Sequence, residues 1–386
     1  MRRVVLLLIL FICLFVFKQE VFAVEDPLSL PNNKFGIHIL FPNEIDAAAK
    51  LVNSNGGDWG YVTIPIQAGD KDLKKWQEFM DKARILHVIP IIRLATEGDY
   101  FNTKVWRKPD FSDVLDFANF LNSLNWPTKN RYVVVFNEVN RGDEWGGTPD
   151  ADEYAQILGY AVSVFKSKTQ NFFIISAGLD NASTNSSSSI NEYSFLQQMN
   201  VSVPGIFNQI DGLGSHAYPN PGFSQPPSVM NSESIQSFFF EENLADGLSN
   251  KDLPVFITET GWSQERVGEE NAAFYLVTAF QNNWSDSRVV AVTPFLFSAQ
   301  AGPFEQFSFL DKDQKPNGIY KSFQNIAKTK GTPGIEPAVL GNNVYAATPK
   351  KVEDFAHTKD QSSGSVWSLK PLAPVVKWLL QVDKIW

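Results

Sequence analysis

Eight short apolar runs, each followed by a longer amphipathic stretch, constrain the fold of this chain most. The runs are Phe35–Ile39, Tyr61–Ile66, Val88–Leu94, Tyr132–Phe136, Phe172–Ala177, Ile210–Ser215, Val255–Thr258 and Val289–Phe297. The stretches after them are Glu44–Asn53, Asp72–Ile85, Phe111–Leu124, Asp152–Lys166, Ile190–Met199, Ser234–Leu248, Asn271–Asn283 and Tyr320–Lys328. Their apolar residues recur at helical spacing. Runs that are apolar at successive positions are buried on both faces, and the helices joining them cover a parallel sheet. Eight units in this order predict an α/β protein, a single (β/α)8 TIM barrel. The rival is an open doubly wound sheet, which wants a Gly-rich phosphate turn after a strand, and none is present.

The ends of the chain fall outside this pattern. Arg2 and Arg3 precede 14 apolar residues from Val4 to Phe17, and Val21-Phe22-Ala23 follows. This reads as a secretory signal, residues 1–23, and predicts a secreted or extracytoplasmic protein. An uncleaved anchor is the alternative, although 14 residues make a helix short for a hydrocarbon core of about 30 Å. The barrel is expected over 24–330. Residues 331–386, with scattered Pro, Ser, Gly and Lys, read as a linker-like extension. Its apolar end, Val375–Trp386, either packs on the barrel or attaches the protein to a cell surface or partner. Ser183–Ser189 reads as a flexible loop. A monomer is expected.

Composition removes several kinds of chemistry. The only cysteine, Cys13, lies in the leader, which excludes a disulfide framework, a Cys-ligated metal and a Cys nucleophile from the rest. The net charge of −9 becomes about −11 once Arg2, Arg3, Lys18 and Glu20 leave with the leader, which argues against nucleic acid as partner. His38, His87, His216 and His357 form no His-Glu-x-x-His pair, and no Gly-x-Ser-x-Gly elbow occurs. Neither a metal nor a cofactor is expected.

In a parallel barrel, chemistry sits where the strands end. The fourth run ends in Phe136-Asn137-Glu138 and the seventh in Thr258-Glu259-Thr260-Gly261-Trp262. Two carboxyls converging across the mouth suit glycosidic bond cleavage, where one protonates the leaving oxygen and the other meets the charge at the anomeric carbon. A negative neighbour also raises the pKa of the group that must arrive protonated. Arg93 ends the third run. Buried there it needs a carboxylate, either Glu259 or a helix acid such as Glu97. His38 ends the first run and either lines a sugar subsite or fills the barrel. Trp145 either stacks on a sugar or anchors its loop.

The Phe136-Asn137-Glu138 and Ile257–Trp262 segments resemble the acid/base and nucleophile motifs of clan A glycoside hydrolases. The resemblance covers about Phe35 to Lys328. It implies a retaining double displacement on a carbohydrate substrate, with Glu138 as acid/base, Glu259 as nucleophile and Asn137 on the sugar 2-hydroxyl. His216-Ala217-Tyr218 resembles the clan's His-x-Tyr segment, which implies that Tyr218 hydrogen-bonds Glu259 and that His216 lies near the acid/base. The chain departs from the clan at strand eight, where Thr293-Pro294-Phe295-Leu296-Phe297 replaces a frequent Trp. Phe295 or Phe297 would then supply the platform, with Trp262 as a further stacking candidate. The rival function is a carbohydrate-binding barrel, displayed at the cell surface, that no longer cleaves.

Overall fold

The computed structural model describes residues 24–299 and 302–337. Its eight strands are β1 (Gly36–His38), β2 (Gly60–Gln67), β3 (Val88–Ala95), β4 (Arg131–Val134), β5 (Phe172–Ile175), β6 (Leu213–His216), β7 (Val255–Glu259) and β8 (Val289–Val292). The helices that follow them are α1 (Ile45–Val52), α2 (Leu73–Ile85), α3 (Phe111–Asn122), α4 (Ala151–Lys168), α5 (Glu192–Ser202), α6 (Ser237–Leu248), α7 (Glu269–Gln281) and α8 (Gly318–Asn325). Short helical turns, Ile206–Gln209 and Gln264–Val267, precede β6 and α7.

All paired strands run parallel, in the orders β1 to β5 and β6 to β8. Parallel bridges Ile175↔Gly212 and Phe35↔Val292 join the two sets and close the barrel. The eight-unit expectation therefore holds. Successive strand residues serve two apolar environments. Val62, Ile92, Val133 and Ile174 face the helices, whereas Tyr61, Ile91, Tyr132, Val134, Phe173 and Phe256 fill the barrel. This double burial explains why the runs are continuous rather than alternating.

Side chains supplied by the sequence start several helices. Asp72, Asp110, Asp150, Asn191 and Asn317 each accept a backbone N–H of the following helix, satisfying donors that the first turn leaves free.

Two boundaries move. The eighth strand stops at Val292, and Thr293–Ala299 continues irregularly with a cis peptide at Phe295–Leu296. Residues 331–337 belong to the barrel rather than to an extension. Gly331 N–H donates to the Asp58 carbonyl at 2.9 Å, Lys129 N–H to that of Gly334 at 2.8 Å, and Arg131 pairs with Glu336 at 3.5 Å. The leader, residues 1–23, and the proposed attachment segment after residue 337 lie outside the described residues. Among the described residues no helix is long and apolar enough to cross a membrane.

Candidate active site

The strand ends surround a cavity of about 390 Å³ that reaches both Glu138 and Glu259. The two carboxyls arrive there by different backbone devices. After β4, Phe136 and Glu138 adopt left-handed conformations, with φ of 70° and 37°. Such values cost a non-glycine residue stability and cluster at functional sites. The Glu138 N–H is tied to the Gly178 carbonyl at 3.0 Å.

On β7, strict alternation from the inward Phe256 would turn Glu259 outward. The β6–β7 register instead slips after Ser215↔Ile257, so that His216 pairs with Glu259 and the two share the mouth. A one-residue slip of this kind re-aims a side chain to the other face. Gly178 makes room beneath, because a Cβ there would lie 2.1 Å from His216 Cδ2.

Glu259 is held from several sides and is 7% exposed. Arg93 Nη1 donates to its Oε1 at 2.5 Å and Tyr218 Oη to its Oε2 at 3.0 Å. The same Arg93 nitrogen donates to Asn137 Oδ1 at 2.5 Å, which leaves the Asn137 N–H groups for other acceptors. Glu97 is paired with Arg107 instead, at 2.8 Å. His38 is fully buried beneath the carboxylate, with Nε2 3.5 Å from Glu259 Oε1. Burial, then the charges of Arg93 and His216, lower its pKa well below the usual imidazole value, so its ring is neutral.

Glu138 has Arg141 Nη1 3.0 Å from Oε2 and His216 Nδ1 3.0 Å from Oε1. Burial alone would raise its pKa. The Arg141, His216 and Arg93 charges outweigh that and hold it at about 2. Burial likewise favours a neutral His216, but the Glu259 and Glu138 carboxylates prevail and raise its pKa. Oxygens of Glu138 and Glu259 and a ring nitrogen of His216 all lie within 4.8 Å of one another. These three side chains have the donor types of a metal site. Each is already engaged by Arg141, Arg93, Tyr218 or one another, which favours a carboxyl pair over a ligand set.

Three expected platforms are corrected. The Trp145 ring borders the cavity but is 1% exposed, packed edge-on to Phe136 and Tyr154 at 6.1 and 5.8 Å; it anchors its loop. Trp262 is 3% exposed. It packs on Tyr275 and Trp284 and donates to the Gln225 carbonyl at 2.8 Å, away from the cavity. Phe297 packs towards Tyr320 of α8, and Phe295 lines the cavity in its place. The Ser183–Ser189 loop is stitched to the loop after Glu138: Gly142 N–H donates to the Ser188 carbonyl at 2.7 Å, and Arg141 bridges Ser189.

Sequence reasoning missed Arg141, Glu144 and Asp180, which line the cavity beside Glu138. Glu144 is hydrogen-bonded to Asn137, and burial followed by the Glu138 charge raises its pKa to about 7. The only signal was an unusual charge density in Arg141-Gly142-Asp143-Glu144, which reads equally as a solvated turn.

No family model and no curated protein matches the chain. Solved structures do. One is a family 39 glycoside hydrolase from the gut symbiont Bacteroides cellulosilyticus WH2, at 15% identity and a TM-score of 0.56, with 79% of this chain and 64% of that one covered. This chain thus spans less than two thirds of that protein's length. Another is a GH39 β-xylosidase from Caulobacter crescentus, at 14% identity and a TM-score of 0.55, covering 76% and 71%. A third is a GH5_18 protein from Bifidobacterium longum subsp. infantis, at 12% identity and a TM-score of 0.55, covering 77% and 79%. At these identities the likeness is one of fold. The chain has the (β/α)8 architecture of the clan A glycoside hydrolases, the superfamily that its strand-end motifs resemble.

Proposed function

We propose that this protein is a retaining β-glycosidase, exported through residues 1–23, that hydrolyses oligo- or polysaccharides as a monomer. The reading rests on the paired carboxyls at the ends of β4 and β7, with oxygens within 4.8 Å. Retaining pairs stand about 5–5.5 Å apart, whereas inverting pairs need about 6.5–9.5 Å to admit a water.

In the first step Glu259 attacks the anomeric carbon while Glu138 gives its proton to the departing glycosidic oxygen. The C–O bond breaks and a glycosyl ester forms on Glu259. In the second, water attacks the same carbon, Glu138 takes its proton, and Glu259 leaves as the carboxylate. Tyr218 and Arg93 aim the nucleophile, each donating to one of its two oxygens. Asn137 offers an N–H to the sugar 2-hydroxyl, a contact that gains strength as positive charge develops. His38 and His216 act behind the carboxyls rather than on the sugar.

One observation favours the second reading, a barrel that binds glycans without cleaving them: the Arg141 ion pair holds Glu138 ionised. Tyr218 and Arg93 on Glu259 weigh against it, since binding alone needs no aimed carboxylate. Attachment to a cell surface through the extension after residue 337 is part of the proposal. A screen of β-linked glycans and aryl glycosides, with proton NMR of the first product anomer, tests the function. A β-anomer formed first supports it, and an α-anomer or absence of hydrolysis contradicts it.

A further inference from the structure

The cavity is lined by two chemically different sets of residues. One is polar, built from Arg141, Asp143, Glu144 and Asp180 on the loops after β4 and β5. The other is aromatic and includes Tyr100, Trp106, Phe223 and Phe304. A pyranose presents the same pair of chemistries, an apolar C–H face and a rim of hydroxyls. Among these aromatic residues Trp106 is the one whose main chain is held by the loop after Glu138. Its backbone N–H donates to the Asp143 carbonyl at 2.7 Å, and its own carbonyl accepts from the Gly146 backbone N–H at 3.0 Å. Both partners lie a few residues after Glu138.

The indole is backed rather than loose. Tyr100 lies against it with centroids 5.8 Å apart. Gly98 clears its edge, since a Cβ there would come within 2.5 Å of Trp106 Cζ3. The ring is half-buried, and its N–H has no partner among the described residues. A rigid, partly exposed Trp with an unused donor suits a surface on which a ring stacks while one hydroxyl is held.

We propose that Trp106, backed by Tyr100, is a stacking platform for the sugar on the leaving-group side of the cleaved bond. The proposal rests on the glycosidase reading, because a general acid must face the leaving oxygen. It makes the substrate a chain with at least one sugar beyond the scissile bond, rather than a simple glycoside. Trp106 also takes the role that the sequence offered to Trp145.

The test compares Trp106→Ala and Trp106→Phe with wild type on two probe sets. One is a panel of β-glycosyl fluorides, whose leaving group has no ring. The other is β-linked gluco- and xylo-oligosaccharides of increasing length. The loss of kcat/KM in Trp106→Ala should be about tenfold greater on the oligosaccharides than on the fluoride, with Trp106→Phe between. Equal losses on both sets, or no loss on either, overturn the proposal. Gly98→Ala, which displaces the ring without removing it, should reproduce the oligosaccharide-selective loss; full activity there contradicts the packing argument. If wild type cleaves neither set, the glycosidase reading itself fails. Calorimetry then judges the platform, and oligosaccharide affinity equal in wild type and Trp106→Ala, or undetectable in both, overturns it.

Discussion

Arg141 Nη1 sits 3.0 Å from Glu138 Oε2 and binds Asp143 through its other nitrogens. The resting site therefore holds Glu138 as a carboxylate, the form that the proposed mechanism needs for its second chemical step and not for its first. The charged groups around Glu138 are Arg141 from its own loop, Arg93 from β3 and His216 from β6, with Glu144, Asp180 and Glu259 on the acidic side. The proposed mechanism therefore requires the Arg141–Glu138 pair to loosen before the first step, and Asp143 and Asp180 are the acceptors that flank Arg141.

Arg141→Met should raise the Glu138 pKa and move the alkaline limb of kcat/KM to higher pH on substrates with poor leaving groups. At an effective dielectric of about 20, two unit charges about 4 Å apart interact by about 4 kcal/mol, which solvent reduces for this partly exposed pair, so a shift of about one pH unit or more is expected. The pH–rate profile checks it, and an unmoved limb contradicts it.

Tyr218→Phe removes the hydroxyl that donates to Glu259 Oε2 at 3.0 Å. A hydrogen bond to a charged group is worth about 1.5–3 kcal/mol, so kcat/KM should fall about 10- to 100-fold. Thermal denaturation should show little loss of stability. An unchanged kcat/KM would mean that the hydroxyl does not aim the nucleophile.

Glu144 should add an inflection near pH 7 to the kinetic profile, because its carboxyl titrates at about that value in contact with Asn137. Glu144→Gln keeps the shape and the hydrogen bond but cannot ionise. The inflection should disappear while activity on the acid side is kept; its persistence in the variant assigns it elsewhere, His216 being the next group.

Glu192 on α5 and Glu241 on α6 are buried together behind β6, and the Ser215 hydroxyl donates to Glu241 at 2.9 Å. Burial raises the pKa of Glu241 to about 7, and burial with the Glu241 charge raises that of Glu192 well above its usual value. The folded pair therefore keeps protons that the unfolded chain releases near pH 4.5. Its contribution to stability is complete below that pH and is lost as pH rises through about 7. The melting temperature should fall between pH 5 and 8, and less steeply in Glu192→Gln. Parallel curves for the two proteins contradict this.

Trp262→Phe should lower the melting temperature without changing KM, because the indole fills the space beside Tyr275 and Trp284. A changed KM with unchanged stability would restore Trp262 to the cleft.

Strand-end residues were legible in the sequence because a continuous apolar run has a definite end, and the barrel topology dictates which ends meet. Glu138, Glu259, Arg93 and Tyr218 all followed from that rule and the clan's motifs. The stacking residues did not follow. Whether Trp145, Trp262 or Trp106 faces the cleft depends on loop packing and on glycines such as Gly98, and no periodicity reports these. The bulge that turns Glu259 inward was equally invisible, since alternation gives it the wrong face. Residues 331–337 read as linker because their ties to the barrel are mostly main-chain hydrogen bonds, which leave no mark on composition, with Glu336 alone adding a side-chain pair.

The assignment of the two carboxyls is tested most directly by azide rescue of Glu138→Ala and Glu259→Ala on an activated aryl β-glycoside. Both should lose turnover, by about 10²-fold or more. Azide should restore Glu138→Ala with a β-glycosyl azide as product, and Glu259→Ala with the α-azide. Wild-type turnover in either variant, or the two azide configurations exchanged, contradicts the assignment.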